Sequence, residues 1–401
     1  MDPAPAGDGV AGRLTGMEPA ASAALDQLWR AIPEARIVGG AVRDQLAGRS
    51  VADIDLASPL PPDAVVARLE AAGLRAIPTG LAHGTITALV GAQSFEITTL
   101  RRDVETDGRH ATIAFIDDWR EDAARRDFTI NAMSVDRAGT LHDYFGGAAD
   151  LAAGIVRFVG DPALRITEDY LRILRFFRFF ARYASAAPDP AALEAIRTLH
   201  PGLVQLSAER VWQEIKKILA APDPCGALHL MRDTGVLAAM LPEAGLLGGL
   251  DDMIAAGAPA DPLLRFAGLV MVDPALAARL KLSDAERSRL ALIQAAPLLG
   301  ADDDDAVLRR ALADWTAESL IDRIWLAGGV EYAALRARLA AMARPVFPLQ
   351  GRDVLALGVA PGPAVGELLA ALRAWWLEHG CVAGREEMRR RLDMLVRSHR
   401  R

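Results

Sequence analysis

The sequence predicts an α+β fold, in which a small N-terminal head of mixed sheet and helices precedes a long all-helical segment. Every run with strand-like alternation or many β-branched residues lies before about residue 150. Beyond it, the chain is rich in Ala, Leu and Arg at helical spacing. Clusters of Pro and Gly then predict the helix boundaries, at 188–190, 222–226, 258–262 and 345–351.

The head contains one clear helix signal and five strand signals. Apolar residues at helical spacing predict a helix over 22–32. The segment LRRDVETDGRHATIAF, residues 100–115, is polar, contains glycine and is poor in packing residues, so we expect a mobile loop there. The five short β-branched or alternating runs predict strands near 36–39, 53–57, 85–90, 94–100 and 133–136.

Composition limits the class of protein. With 401 residues, 52% of them hydrophobic, the chain can bury several cores. The N-terminus has no signal-peptide pattern and no apolar run approaches the span of a bilayer, so we expect a cytoplasmic protein without a membrane partner. Cys225 and Cys381 lie far apart without a metal-ligand pattern, as expected for unpaired thiols in a reducing compartment.

Charge is unevenly distributed along the chain. The net charge of −7 is unusual for a protein that binds a long polyanion. Residues 165–182, however, contain five arginines and two acidic residues, and residues 384–401 contain seven arginines and three acidic residues. Such local patches suffice to contact a short, structured RNA. For the C-terminal patch, a solvated tail is an equally good interpretation.

The most informative stretch begins IVGGAVRD and ends DID. On a β-strand, Asp53 and Asp55 would point to the same face, where two carboxylates repel unless a cation lies between them. Mg²⁺ is typically held by one or two carboxylates together with substrate phosphate oxygens. Gly39 and Gly40 allow close approach of backbone N–H groups to a phosphate, and Arg43 adds a guanidinium. Each element alone usually marks a turn, and only the ordered combination is informative.

Three motifs occur in a recognisable order: GGAVRD with DID, then RRDFTINAM at 125–133, then RITEDYLRILRFFRFF at 165–180. Together they resemble the nucleotidyltransferases of the DNA polymerase β superfamily, in the class II branch that holds bacterial CCA-adding enzymes and poly(A) polymerases. The segment 348–372 resembles the tail signature of the long bacterial members. The resemblance implies a polymerase β-like head followed by helical neck, body and tail domains. The corresponding segments are a disordered leader at 1–20, the head at 21–150, the neck at 151–220, the body at 221–345 and the tail at 346–401.

The resemblance implies template-independent addition of C, C and A to the 3′ end of tRNA, using CTP, ATP and Mg²⁺ and releasing pyrophosphate. The tRNA would be held through its acceptor and T arms, with the tail contributing to tRNA binding. An enzyme that adds only the terminal A, or a poly(A) polymerase, would share every head motif. A non-catalytic RNA-binding relative would have a broken D-x-D or EDxxR motif, and both are intact here. The oligomeric state is not predicted.

Five further residues of the head are candidates for the site. Glu96 lies on a strand that would lie beside the D-x-D strand and is the candidate for a third catalytic carboxylate, the alternative being a solvent-facing glutamate. Arg125 and Arg126 would meet triphosphate or ribose oxygens, oriented by Asp127 and Asn131, the alternative being a surface Arg–Asp pair. By resemblance, one of these arginines contacts the nucleotide, and the spacing favours Arg126.

The third motif predicts one continuous helix over 165–182. At about 100° per residue, Asp169 and Arg172 would be neighbours on one face. A carboxylate and a guanidinium side by side match the donor and acceptor pattern on the Watson–Crick edge of C or A, which by resemblance is how the base is selected. Considered alone, an i,i+3 salt bridge is the simpler interpretation. Arg175 and Arg178, rotated away, would reach phosphates.

Two predictions concern the surroundings of this site. By resemblance, the loop at 100–115 helps to switch specificity from C to A, which argues against an enzyme restricted to adding C. Glu168, Glu209 and Arg210 are expected to support the helix that carries Asp169 rather than to contact the nucleotide.

Overall fold

The computed structural model describes residues 19–51, 53–106, 111–245 and 247–399. The chain forms two compact units that divide between Pro242 and Glu243, here called the N-terminal unit and the C-terminal unit. The leader predicted for 1–20 lies outside the described residues except for its last two, which belong to the first helix. The domain boundaries predicted at 150, 220 and 345 stay predictions.

The N-terminal unit begins with the head, whose α+β composition is as predicted. The predicted strand at 53–57 begins only at Asp55, so Asp53 precedes it. The head elements in chain order are α1 (Pro19–Ala31), β1 (Arg36–Val38), α2 (Gly40–Leu46), β2 (Asp55–Ser58), α3 (Pro62–Ala71), β3 (Arg75–Gly80), β4 (Thr85–Val90), β5 (Gln93–Thr99), β6 (Arg101–Thr106), β7 (Ala111–Phe115), α4 (Trp119–Ala124), β8 (Met133–Val135), β9 (Leu141–Asp143) and α5 (Gly147–Ala153).

Seven strands form one mixed sheet in the order β3-β4-β5-β2-β1-β8-β9. The pair β2–β5 is parallel, and its register places Asp55 directly opposite Glu96. On β4 and β5 alternate residues such as Ile86 and Ile97 are fully buried in a core that also contains Leu28 of α1. The other face of β5 is therefore the open one, where Glu96 is exposed.

The segment expected to be a loop contains a β-hairpin. Strands β6 and β7 pair antiparallel in a separate two-stranded sheet, with Arg101 opposite Phe115. The backbone N–H of Ile116 donates to the carbonyl of Leu100 at 3.0 Å and closes the base of the hairpin. The loop prediction was wrong for these strands because it relied on side-chain polarity, whereas paired strands satisfy their backbone groups whatever side chains they carry. Residues 107–110 lie outside the described residues.

The rest of the N-terminal unit is helical. An aromatic cluster joins it to the head, since the rings of Phe128, Phe158, Phe176 and Phe179 lie with centroids 4.8 to 6.3 Å apart. Such tilted, edge-on and stacked contacts add to the burial of these large side chains. The helices are α6 (Pro162–Glu168), α7 (Leu171–Tyr183), α8 (Pro190–Leu199), α9 (Ala208–Leu219), α10 (Cys225–Asp233) and α11 (Val236–Met240).

The C-terminal unit is helical throughout its described residues, as predicted. Its Pro-rich boundaries begin helices: Asp261 and Asp273 each cap a helix whose first residue is proline. No helix in the described part of the chain is long and apolar enough to cross a bilayer. The helices are α12 (Gly248–Ala255), α13 (Pro262–Leu269), α14 (Pro274–Arg279), α15 (Asp284–Ala295), α16 (Asp305–Asp314), α17 (Ala317–Ala327), α18 (Ala333–Ala341), α19 (Gly351–Leu355), α20 (Pro363–Glu378) and α21 (Arg385–His399).

Candidate functional site

A cavity of about 600 Å³ lies in the N-terminal unit and collects most of the predicted site residues. The uncharged residues of its wall are Val38, Gly39, Gly40, Asn131, Leu171 and Phe179. The excess of guanidinium groups over carboxylates suits a ligand with several negative charges. Among the described residues, the charged groups of the wall are eight arginines (43, 101, 125, 126, 172, 175, 178 and 210) and three aspartates (55, 127 and 169).

The carboxylates predicted to be catalytic lie around the start of β2. Asp53, Asp55 and Glu96 are all exposed, and of the three only Asp55 lines the cavity. Partial burial raises the pKa of Asp55, and the negative charges of Glu96 and Asp53 raise it further. Among the described residues, no three acidic, histidine or cysteine side chains converge as a metal site. Asp53 and Asp55 can therefore supply at most part of a cation's ligands, with substrate oxygens supplying others.

Gly39 permits a close approach of the backbone to an arginine of the site. Its φ of +67° favours glycine, and a Cβ atom here would lie 3.0 Å from Nη1 of Arg126. The N–H of Gly39 donates to the carbonyl of Met133 at 3.3 Å, and helix α2 begins at the next residue, Gly40. A side chain at 39 would thus both strain the backbone and displace a guanidinium from the cavity.

Arg43 is the most thoroughly held arginine of the cavity. Its side chain is almost fully buried, and Nη1 donates to Oδ1 of Asn131 at 2.5 Å. Its Nε and Nη2 donate to Asp44 at 3.1 and 3.0 Å. The guanidinium carbon lies 5.0 Å from the ring centre of Phe179 and 4.6 Å from that of Tyr183. Hydrogen bonds and cation–π contacts therefore fix its orientation without a ligand.

Arg125 and Arg126 both line the cavity, and one buried carboxylate holds them. Oδ1 of Asp122 accepts from Nε of Arg125 at 2.9 Å, and Oδ2 accepts from Nη2 of Arg126 at 3.4 Å. The backbone N–H of Arg101, at the start of the hairpin, also donates to Asp122, at 3.2 Å. Asp122 and Arg101 were not among the predicted site residues, although the i,i+3 and i,i+4 spacing from Asp122 to the two arginines is readable in EDAARRD.

Asp127 and Asn131, both expected to orient Arg125 and Arg126, differ in outcome. The backbone carbonyl of Asn131 accepts from Nη1 of Arg126 at 3.3 Å. Asp127, expected to orient Arg125 and Arg126, instead forms an ion pair with Arg175, whose Nε donates to Oδ2 at 2.6 Å. Arg175, expected to reach phosphates, still lines the cavity. Burial alone would raise the pKa of Asp127, but the Arg175 guanidinium and hydrogen bonds from Asn131 and a backbone N–H outweigh it and lower that pKa.

The helix predicted over 165–182 is broken in two, so the predicted i,i+3 geometry was wrong. Asp169 ends α6 with an extended backbone, φ −154° and ψ 106°, and α7 begins at Leu171. The aromatic ring of Tyr170, in the break, contacts Gly202, where a Cβ atom would lie only 1.9 Å from a ring carbon. Helical periodicity does not register this packing, which requires glycine in a distant segment.

After the break, Asp169 and Arg172 have separate partners. Oδ2 of Asp169 accepts from Nη2 of Arg210 at 2.7 Å. Nη1 of Arg172 donates to Glu168 at 2.5 Å, and its Nη2 donates to the carbonyl of Arg125 at 3.0 Å. Arg172 therefore pairs with Glu168 and not with Asp169, and both predicted base-reading groups line the same cavity.

The residues expected to support this region differ in their placement. Glu168 holds Arg172 through the contact described above, whereas Arg210 itself lines the cavity. Glu209 is exposed in the first turn of α9 and lies outside the cavity wall. Arg178, expected to reach phosphates, lines the cavity and also pairs with the buried Glu214, with Nη1 to Oε1 at 2.8 Å.

Comparisons with known proteins show which families and solved structures this chain resembles. A family model described as "Poly A polymerase head domain" matches residues 35–157. A second, described as "Probable RNA and SrmB- binding site of polymerase A", matches residues 187–246. The solved structure of the Bacillus stearothermophilus CCA-adding enzyme in complex with CTP superposes with a TM-score of 0.76 at 28% identity, over 96% of this chain and 99% of that one. The Thermotoga maritima CCA-adding enzyme complexed with tRNA shares the fold, with a TM-score of 0.70 at 19% identity, over 96% of this chain and 97% of that one.

Two vertebrate relatives match nearly the whole chain. The protein named CCA tRNA nucleotidyltransferase 1, mitochondrial, is 38% identical over 378 residues in Mus musculus and over 371 residues in Homo sapiens, covering 88% of this chain and 85% of each relative. The CCA-adding enzyme of Bacillus licheniformis is 36% identical over 256 residues, 61% of this chain and 62% of that protein. The chain therefore belongs to the family of CCA tRNA nucleotidyltransferases.

Proposed function

We propose that this protein adds C, C and A to the 3′ end of tRNA, using CTP and ATP as substrates and releasing pyrophosphate. The observation that carries this proposal is the cavity, which combines Asp55 of the intact D-x-D motif, an excess of arginines and the Asp169 and Arg172 side chains. A carboxylate at the reacting centre, cations for a triphosphate and a donor–acceptor pair for a base are the three requirements of nucleotide addition without a template.

The triphosphate would be bound by the start of α2 and the arginines around it. Gly39 and Gly40 allow the backbone to approach phosphate oxygens, and Arg43 is already oriented toward the cavity. Arg126, whose Nη1 donates to the carbonyl of Asn131 and would lie 3.0 Å from a Cβ atom at position 39, is the favoured arginine of the pair 125 and 126 for direct contact. Because ion pairs and rings hold these groups before the substrate arrives, little reorganisation is needed on binding.

Enzymes of this family typically use a divalent metal. We assign Mg²⁺ to Asp53 and Asp55, because the negative charge of Asp53 helps to raise the pKa of the neighbouring Asp55, and two carboxylates so close together suit a hard cation. When bound, Mg²⁺ supplies charge neutralisation at the α-phosphate and lowers the pKa of the attacking 3′-hydroxyl. Glu96, directly opposite Asp55, is the proposed third carboxylate, which would accept a proton or a hydrogen bond from the primer terminus.

Base selection is assigned to Asp169 and Arg172. A carboxylate accepts from the exocyclic amine that C and A share, and a guanidinium donates to the adjacent ring nitrogen or carbonyl. Arg210 and Glu168, bound to these two groups, hold them in place. Arg175 and Arg178 contribute positive charge to the same cavity while paired with Asp127 and Glu214.

The tRNA partner would be bound by the helical segments through its acceptor and T arms, by shape and phosphate contacts more than by sequence. Helix α21 presents exposed arginines, among them Arg389 and Arg390, that suit phosphate contacts. We keep the cytoplasmic location as a prediction; the names of the vertebrate relatives place those proteins in mitochondria.

The test uses the full chain with Mg²⁺ and tRNA transcripts that end at the discriminator base, at C or at CC. Products of reactions with CTP, ATP or both are resolved at single-nucleotide length. We expect addition that stops at CCA and requires CTP on the shortest primer. Addition to the CC primer alone would establish an A-adding enzyme, an open-ended A tail a poly(A) polymerase, and no product on any primer a non-catalytic relative.

A further inference from the structure

Tyr183, the last residue of α7, belongs to none of the motifs and does not line the nucleotide cavity. Its hydroxyl donates to Oδ1 of Asp44, the same oxygen that accepts from Nε and Nη2 of Arg43 at 3.1 and 3.0 Å. Its ring lies 4.6 Å from the Arg43 guanidinium carbon. Tyr183 thus touches Arg43 directly through its ring and indirectly through Asp44.

We propose that Tyr183 and Asp44 are positioning residues that hold the Arg43 guanidinium in the orientation that binds the triphosphate. The inference rests on the proposed function, since it assigns Arg43 to the triphosphate of the incoming nucleotide. Neither residue is placed to touch the nucleotide itself, because neither lines the cavity.

The geometry supports positioning because the guanidinium is constrained in every direction. Asp44 accepts from two of its nitrogens, Asn131 accepts from the third, and Phe179 and Tyr183 both contact it through their rings. A planar guanidinium that makes in-plane hydrogen bonds and face contacts together cannot rotate without losing one of the two.

The contact also links two parts of the N-terminal unit. Arg43 and Asp44 belong to α2 of the head, whereas Tyr183 and Phe179 belong to α7, which also carries Arg172. The Tyr183 ring is held in turn by Arg49, whose guanidinium carbon lies 4.8 Å from the ring centre. The group that binds the triphosphate is thereby aligned with the helix that bears the proposed base-reading arginine.

This role predicts a specific kinetic signature. Loss of positioning weakens binding of the triphosphate portion whatever the base, so the KM values for CTP and ATP should rise together while kcat and the preference between the two nucleotides stay unchanged. Inorganic pyrophosphate contains no base and no ribose. Its affinity therefore reports on the phosphate-binding groups alone.

The experiment compares Tyr183→Phe and Asp44→Asn with the unaltered protein. Both substitutions are nearly isosteric, so the fold is retained, and melting temperatures verify this. We expect the inhibition constant of pyrophosphate, and its dissociation constant by calorimetry, to rise about fivefold in each variant. Tyr144→Phe is the matched control: its hydroxyl accepts from Arg36 at 3.2 Å, outside the cavity, and its pyrophosphate affinity should stay at the unaltered value.

Pyrophosphate affinity unchanged in both variants would overturn the inference, as would a fall in kcat and melting temperature without a change in that affinity. The latter would describe a purely structural contact. The proposed function fails separately, if the unaltered protein adds no nucleotide to any tRNA primer. The calorimetric titration still tests the positioning role in that case.

Discussion

Two sets of charged residues in the site are built in opposite ways. The carboxylate group consists of Asp53, Asp55 and Glu96, and the arginine group consists of the arginines that line the cavity. Partial burial raises the pKa of Asp55, and the charges of the exposed Glu96 and Asp53 raise it further. The arginines of the cavity, by contrast, are held by acidic partners, carbonyls and rings, as Arg43 and Arg175 illustrate. The arginine group is organised before any ligand binds, whereas the positive charge of Arg126 offsets only part of the repulsion within the carboxylate group, and a bound cation would supply the rest.

This difference predicts which substitutions should reduce activity and which should reduce the stability of the fold. A carboxylate that repels its neighbours contributes little to stability, so its removal should cost activity alone. An acidic residue that is buried against an arginine of the cavity contributes to both stability and activity. The four predictions below test this division, from the largest expected effect to the smallest.

Asp55→Asn should reduce kcat/KM by roughly 10³-fold, since the charge stabilisation assigned to this carboxylate is worth several kcal/mol. The melting temperature should stay the same or rise slightly, because the substitution removes like-charge repulsion with Glu96 and Asp53. Primer extension and thermal unfolding measure the two effects. Asp63→Asn, an exposed aspartate at the start of α3, is the control and should change neither. A large loss of stability in Asp55→Asn would contradict the comparison.

Asp127→Asn should lower the free energy of unfolding by about 3 kcal/mol at pH 7, because it leaves the Arg175 guanidinium without its buried partner. The folded-state pKa of Asp127 is lowered, so its contribution is fully present above the ordinary value of 3.8 and is lost as the pH falls from there through the folded-state pKa. Urea unfolding of both proteins between pH 7 and pH 3 tests this. If the difference in unfolding free energy between the two proteins already shrinks well above pH 4, the result would argue against this role of Asp127.

Asp169→Asn should weaken the preference for CTP and ATP over UTP and GTP by about 2 kcal/mol, roughly 30-fold, since an amide presents a donor where the carboxylate accepted. Competition between the four nucleotides on one primer measures this ratio. Glu194→Gln, at an exposed acidic residue of α8 outside the cavity, is the control and should keep the ratio unchanged. An unchanged ratio in Asp169→Asn would remove this residue from base selection.

Glu96→Gln should lower kcat by about tenfold, near 1.4 kcal/mol, since it removes a charge next to Asp55 but keeps a hydrogen-bonding group. Single-turnover primer extension measures the chemical step. Glu70→Gln, on an exposed face of α3, provides the control. A rate equal to that of the unaltered protein would leave Glu96 as a solvent-facing strand residue and reduce the carboxylate group to two members.

The sequence predicted the head, the helical remainder and most of the cavity wall because those depend on local pattern. Alternation along β4 and β5 reports directly which face is buried, and motif order placed the arginines of the wall. The break at Asp169 escaped prediction because the helical spacing of apolar residues runs straight through it, and the contact of Tyr170 with Gly202 is one that no local period encodes. Asp44 and Tyr183 escaped for the same reason: their contact joins positions 139 residues apart.

The break between α6 and α7 also bears on how the base of the incoming nucleotide would be selected. In one continuous helix, Asp169 and Arg172 would be adjacent and would neutralise each other. Separated, each is anchored by a different partner, Arg210 for one and Glu168 for the other. Under the proposed function, the cavity thereby presents one fixed hydrogen-bond acceptor and one fixed hydrogen-bond donor, whatever RNA is being extended. The residues around this short stretch of irregular backbone would therefore select the incoming base, as a template strand does in other polymerases.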